Sequence, residues 1–91
     1  METRRCIVRG SVQGVGFRYF VLRHARELGV QGTVRNRADG AVEAVLQASE
    51  PGALEALIDR LRQGPRASRV DAVDVEPLET TEPFEDFEIT G

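Results

Sequence analysis

Residues 13–18 read Gln-Gly-Val-Gly-Phe-Arg, a combination of types and spacing that can hold an oxyanion. Glycines 14 and 16 let the main chain curl. Successive N–H groups of Gln13, Gly14, Val15, Gly16, Phe17 and Arg18 can then face one point just ahead of a helix whose own first amides are unpaired and positive. Such a concavity binds phosphate or carboxylate oxygens. Arg18 at its lip adds a planar fork of donors that can meet two oxygens at once. The second residue with chemical potential is Asn36, in the stretch Arg35-Asn36-Arg37 beside Asp39-Gly40. Its carboxamide can accept a hydrogen bond from a water while donating elsewhere, so it aims a nucleophile without becoming charged. Plainer roles compete: the glycines can simply make a tight strand-to-helix turn, and Asn36 can bond to its own hairpin backbone. Two other loop chemistries are weak readings, because the stretch lacks the third glycine of a dinucleotide fingerprint and the Gly-Lys-Ser/Thr ending of a P-loop.

The elements that must position these residues follow from periodicity. From Arg5 to Val12 apolar and polar residues alternate, with Cys6, Val8, Gly10 and Val12 on one face, which predicts a strand. Beyond the glycines the period changes, and Phe17, Val21, Ala25 (or His24) and Leu28 form one stripe of a helix over about 18–28, closed by Gly29. Val30, Gly32, Val34 and Asn36 share one face of a second strand. Asp39-Gly40 predicts a tight two-residue hairpin, and Val42, Ala44, Leu46 and Ala48 line the return strand. Ser49 or Glu50 then caps a helix opened by Pro51, with Leu54, Leu57, Ile58 and Leu61 on its apolar stripe and Gly64-Pro65 at its end. A strand through residues 70–78 and a shorter one carrying Phe87 and Ile89 complete the chain.

The order β-α-β-β-α-β with a strand-like tail, every element apolar on one side, is satisfied by a ferredoxin-like α+β sandwich: an antiparallel sheet with both helices on one face. In it the first two strands run parallel with the third between them. The loop after strand 1 and the end of strand 2 become neighbours about 10 Å apart, two strand spacings. Arg18 and Asn36 thus meet at one sheet edge.

Composition narrows the rest. Ninety-one residues suffice for a single domain, 1–91, with one core. One cysteine, Cys6, and one histidine, His24, exclude an internal disulfide and the usual soft zinc sets, so no metal and no cofactor is expected. No apolar run approaches the roughly 20 residues that cross a bilayer, and no signal-peptide stretch opens the sequence, so a cytoplasmic protein without membrane contact is expected. Up to Leu46 eight arginines face four acidic residues, and beyond it four face eleven. The first half attracts a small anion, whereas the second repels an extended polyanion such as nucleic acid. The polar breaks at the strand edges favour a monomer.

The stretches Gly-Ser-Val-Gln-Gly-Val-Gly-Phe-Arg-Tyr-Phe (10–20) and Gly-Thr-Val-Arg-Asn-Arg-Ala-Asp-Gly-Ala-Val-Glu (32–43) resemble the acylphosphatase family, in the expected order. The likeness extends through Gly-Pro-Arg-Ala-Ser-Arg-Val (64–70) to the closing Phe-Glu-Ile, nearly the whole chain. It implies a metal-independent hydrolase of acyl phosphates. In it, amides of residues 13–18 and the Arg18 guanidinium bind the phosphoryl group, Asn36 positions the attacking water, and inorganic phosphate inhibits as product. Thr33 departs from the family, many members of which carry tryptophan there; this bears on packing alone.

The residue inventory agrees with that chemistry. Phosphate monoesters hydrolyse so slowly that their enzymes bring metals, a covalent nucleophile or a strong acid–base pair, and none is evident near residues 13–18. A mixed carboxylic–phosphoric anhydride asks for less, because its carboxylate leaves without protonation near neutral pH. Positioning and charge stabilisation then suffice. Carbamoyl phosphate, a glycolytic acyl phosphate and a phosphorylated aspartate all remain open as substrates. The competing readings are a binding module on the same fold, including RNA recognition through aromatics on the sheet, and a phosphoryl-binding domain that serves a larger carbamoyl-handling protein.

Overall fold

The structure of the chain, a computed structural model, describes residues 1–79 and 82–91. In chain order its elements are β1 (Glu2–Ser11), α1 (Phe17–Leu28), β2 (Gln31–Asn36), β3 (Val42–Ala48), α2 (Pro51–Gln63), β4 (Arg69–Leu78) and β5 (Phe87–Ile89). The strands form one sheet in the order β4-β1-β3-β2-β5. Because β3 lies antiparallel to both β1 and β2, those two run parallel and end at the same edge. This is the ferredoxin-like arrangement expected from the periodicity. No helix among the described residues is long and apolar enough to cross a membrane.

Both helices cover the same face. Phe17, Val21 and Ala25 of α1 and Leu54, Leu57, Ile58 and Leu61 of α2 are buried, in one cluster with Cys6, Val8, Val34, Ala44 and Leu46 from the sheet. Each large aliphatic side chain so buried contributes about 1.5–3 kcal/mol. The other face is a lattice of ion pairs: Arg5 with Glu76, Arg9 with Asp74, and Arg35 and Arg37 with Glu43.

Three local features differ from the sequence reading. First, the sheet is mixed rather than wholly antiparallel, because β5 pairs in parallel with β2, placing Phe87 beside Gly32 and Ile89 beside Val34. Phe87 is fully buried there. Second, the β2–β3 turn is longer than a two-residue hairpin with positive φ at both centres. The Gly40 N–H donates to the Arg37 carbonyl (3.2 Å) and the Arg37 N–H to that of Ala41 (2.8 Å). Only Gly40 is left-handed, at φ 91°, which is the three-residue loop closed by a glycine bulge. Asp39 accepts from the Ala41 N–H at 3.1 Å. Third, His24, expected from the sequence to lie on the surface of the first helix, is half-buried between the helices: its ring sits 4.3 Å from that of Phe20 and its Nδ1 lies 2.6 Å from Arg60 Nη1.

Candidate active site

The edge where β1 and β2 end carries a cavity of about 160 Å³ lined by Val12, Gly14, Gly16, Phe17, Arg18, Tyr19 and Asn36. Its floor is the chain reversal between β1 and α1. Gly14 and Gly16 adopt left-handed conformations, φ 74° and 80°, which residues with a Cβ enter only at a cost of about 1–2 kcal/mol. Gly16 caps α1, and the helical ladder starts with the Phe20 N–H on the Gly16 carbonyl at 3.0 Å. The amides of Phe17, Arg18 and Tyr19 precede that first bond, so they have no intrahelical acceptor and supply the positive end of the helix.

Arg18 is half-buried at the cavity wall, and its Nη1 donates to the Gly91 main-chain oxygen at 2.7 Å. The same oxygen accepts the Asn36 N–H at 3.0 Å. One acceptor therefore ties the guanidinium to the end of β2, although Arg18 and Asn36 arise from different elements. Asn36 lines the cavity, and its Oδ1 is buried with no hydrogen-bond partner among the described residues. A buried acceptor left unpaired costs about 1–3 kcal/mol.

Of the residues expected to bind substrate, Gly14, Gly16, Phe17 and Arg18 line the cavity together with Asn36, whereas Gln13 and Val15 do not. Val15 packs against the hydrophobic core. The Gln13 side chain turns to the β2–β3 hairpin, where its Nε2 donates to the carbonyls of Arg37 (2.7 Å) and Ala41 (2.9 Å). It fastens the glycine loop to the turn that follows Asn36. Tyr19 was not singled out by sequence reasoning. It lies beyond the glycine motif and off the apolar stripe and is 69% exposed; its part in the cavity comes from standing in the first turn of α1.

No group of three or more His, Cys, Asp or Glu gathers as a metal set among the described residues. Burial pushes the Cys6 thiol up to about 12, so it stays protonated and a poor nucleophile. His24 is held below its ordinary value, chiefly by burial and then by the adjacent Arg60, and it sits between the helices rather than at the cavity. A larger, more open hollow of about 910 Å³ lies at the other end of β1, between residues 1–4 and 77–79. Its lining sets Glu2, Glu79 and Glu82 against one cation, Arg4, which is itself paired with Glu2 and Glu55, a balance that disfavours a phosphoryl group.

Comparison with known proteins points the same way as this geometry. The acylphosphatase family model matches residues 4–89. An acylphosphatase of Koribacter versatilis is 52% identical over 90 residues, covering 99% of this chain and 81% of that protein. The crystal structure of acylphosphatase from Bacillus subtilis superposes with a TM-score of 0.95 at 36% identity, covering both chains completely. Full-length HypF, in its phosphate- and nucleotide-bound form, contains a similar unit: TM-score 0.84 at 34% identity, over 99% of this chain and 12% of that one.

Proposed function

From the premise that the chain belongs to the acylphosphatase family, we propose that it hydrolyses the carboxyl–phosphate bond of acyl phosphates at the cavity between the glycine loop and Asn36. The amides of the loop and of the first turn of α1, together with Arg18, receive the phosphoryl oxygens. Asn36 Oδ1 accepts a hydrogen bond from the attacking water. The water oxygen bonds to phosphorus as the bond from phosphorus to the acyl oxygen breaks, and its electron pair leaves with the carboxylate. The water proton passes to a phosphoryl oxygen, so neither a protein base nor a protein acid is required. Fixed donors around a loose phosphoryl transition state carry the catalysis.

The observation that carries this reading is the place of Asn36, whose Oδ1 has no hydrogen-bond partner among the described residues, in the lining of the cavity that holds Arg18. A hairpin asparagine serving only its own backbone would have paired that oxygen. The RNA-binding alternative is not favoured. Among the described residues the one largely exposed aromatic is Tyr19, on a helix, and the open face of the sheet is occupied by arginine–carboxylate pairs.

The test is hydrolysis of benzoyl phosphate beside an aryl phosphate monoester. Rapid turnover of the first with little of the second is expected. Comparable rates for both would require an acid for the leaving group and would overturn the mechanism.

A further inference from the structure

At about 160 Å³ the phosphoryl cavity falls below the roughly 300–1,000 Å³ of pockets that enclose drug-sized molecules: it has room for a phosphoryl group with a short acyl group, and a longer acyl chain must extend beyond it. A neighbouring groove adjoins the cavity at Tyr19, which lines both. The groove, about 640 Å³ and open, runs along α1 over Leu22, Arg23, Arg26 and Glu27. Most of the charges in that groove are already engaged. Arg26 donates to the Phe87 carbonyl (3.2 Å) and to Asp86 (3.3 Å), while Glu27 pairs with His24 and Arg60. Arg23 is exposed and forms no ion pair or hydrogen bond among the described residues.

We propose that this groove is the acyl subsite and that Arg23 selects acyl phosphates bearing a second anionic group, a carboxylate or a phosphate, at the far end of the acyl chain. The inference rests on the hydrolytic reading above. Arg23 follows Tyr19 by four residues, one helical turn or about 6 Å along the axis. With C–C bonds of about 1.5 Å, an acyl chain of about three carbons leaving the cavity past the Tyr19 ring brings its distal anion within reach of that guanidinium. Leu22 and the phenol ring cover the intervening methylenes, and a planar guanidinium suits either oxyanion.

The experiment compares kcat/KM for succinyl monophosphate and for phosphonopropionyl phosphate, each as a ratio to acetyl phosphate. It uses the wild-type chain, Arg23→Glu, Arg23→Lys and Arg66→Glu, the last making the same charge change outside cavity and groove. In Arg23→Glu the ratio is expected to fall about fivefold, the scale of an exposed ion pair, to recover in Arg23→Lys and to converge on wild type at high salt. A fall with one substrate only identifies which oxyanion the groove prefers. Ratios in Arg23→Glu equal to those in Arg66→Glu overturn the subsite while leaving the hydrolytic reading intact. Absence of acetyl phosphate hydrolysis by the wild-type chain overturns both.

Discussion

Gln13 Nε2 donates to the Arg37 carbonyl at 2.7 Å across 24 residues of sequence, and through a second bond to Ala41 it fixes the hairpin against the phosphate loop. The glycine loop and Asn36 are thus held by one side chain that never enters the cavity.

Gln13→Leu removes both bonds while keeping the volume. Each is worth about 0.5–1.5 kcal/mol at most, and the partial exposure of the site places the total near about 1 kcal/mol. Turnover is expected to fall about tenfold as Asn36 loses its register with the loop, with inhibition by phosphate changed far less. Urea denaturation and the split between kcat and the inhibition constant check this. An equal loss in both would mean that Gln13 shapes the loop itself.

Arg18→Gln is expected to raise KM, lower kcat and weaken competitive inhibition by inorganic phosphate by at least about tenfold, as fits a charge-assisted bond to an oxyanion. Because Gly91 orients the guanidinium through its main-chain oxygen, deletion of Gly91 should reproduce part of this loss. Unchanged phosphate inhibition in Arg18→Gln would remove that residue from the binding role.

Activity is expected to persist after prolonged dialysis against EDTA, since the proposed step uses amides, a guanidinium and a carboxamide. Loss of activity that magnesium restores would point to a different mechanism.

Stability should depend on His24 as pH falls. The folded chain holds this imidazole below its ordinary value, so the unfolded chain takes up a proton before the native one does. The contribution is complete above about pH 6.5 and declines as pH drops through that value toward the lower native one. Below the native value no further loss accrues. The urea midpoint of the wild type should therefore fall between pH 7.5 and 5.5, while that of His24→Gln falls less. Asp39, held low by the Ala41 N–H and Arg37, and Asp71, held low by Arg69, add their losses only in the carboxylate range. Equal midpoint shifts in both proteins would contradict the account.

The strands and helices were legible because each carries one apolar face at its own period. Cys6 and Val8 alternate with Arg5 and Arg9, and Leu54, Leu57, Ile58 and Leu61 recur at helical spacing. The convergence of Gly14, Gly16 and Arg18 with Asn36 followed from topology, since strands that run parallel end at one edge. What escaped depends on contacts distant in sequence. Asp39-Gly40 suits both a two-residue and a three-residue hairpin, and only the pairing of Arg37 with Ala41 decides between them. Gln13 sits within the glycine motif and reads as part of the loop, yet its amide faces a turn that local pattern does not locate. His24 depends on how closely α2 brings Arg60 to α1, and Tyr19 looks like any exposed aromatic until the cavity beside it is formed.

The most direct test is Asn36→Ala, followed by three measurements: turnover of benzoyl phosphate, inhibition by inorganic phosphate and stability in urea. The account predicts a fall in kcat of at least about 100-fold with phosphate inhibition nearly normal. Stability should be unchanged or higher by up to about 1 kcal/mol, because a buried acceptor without a partner has been removed. Retained turnover, or a loss of turnover explained by unfolding or by failure to bind phosphate, would contradict the placement of the attacking water on Asn36.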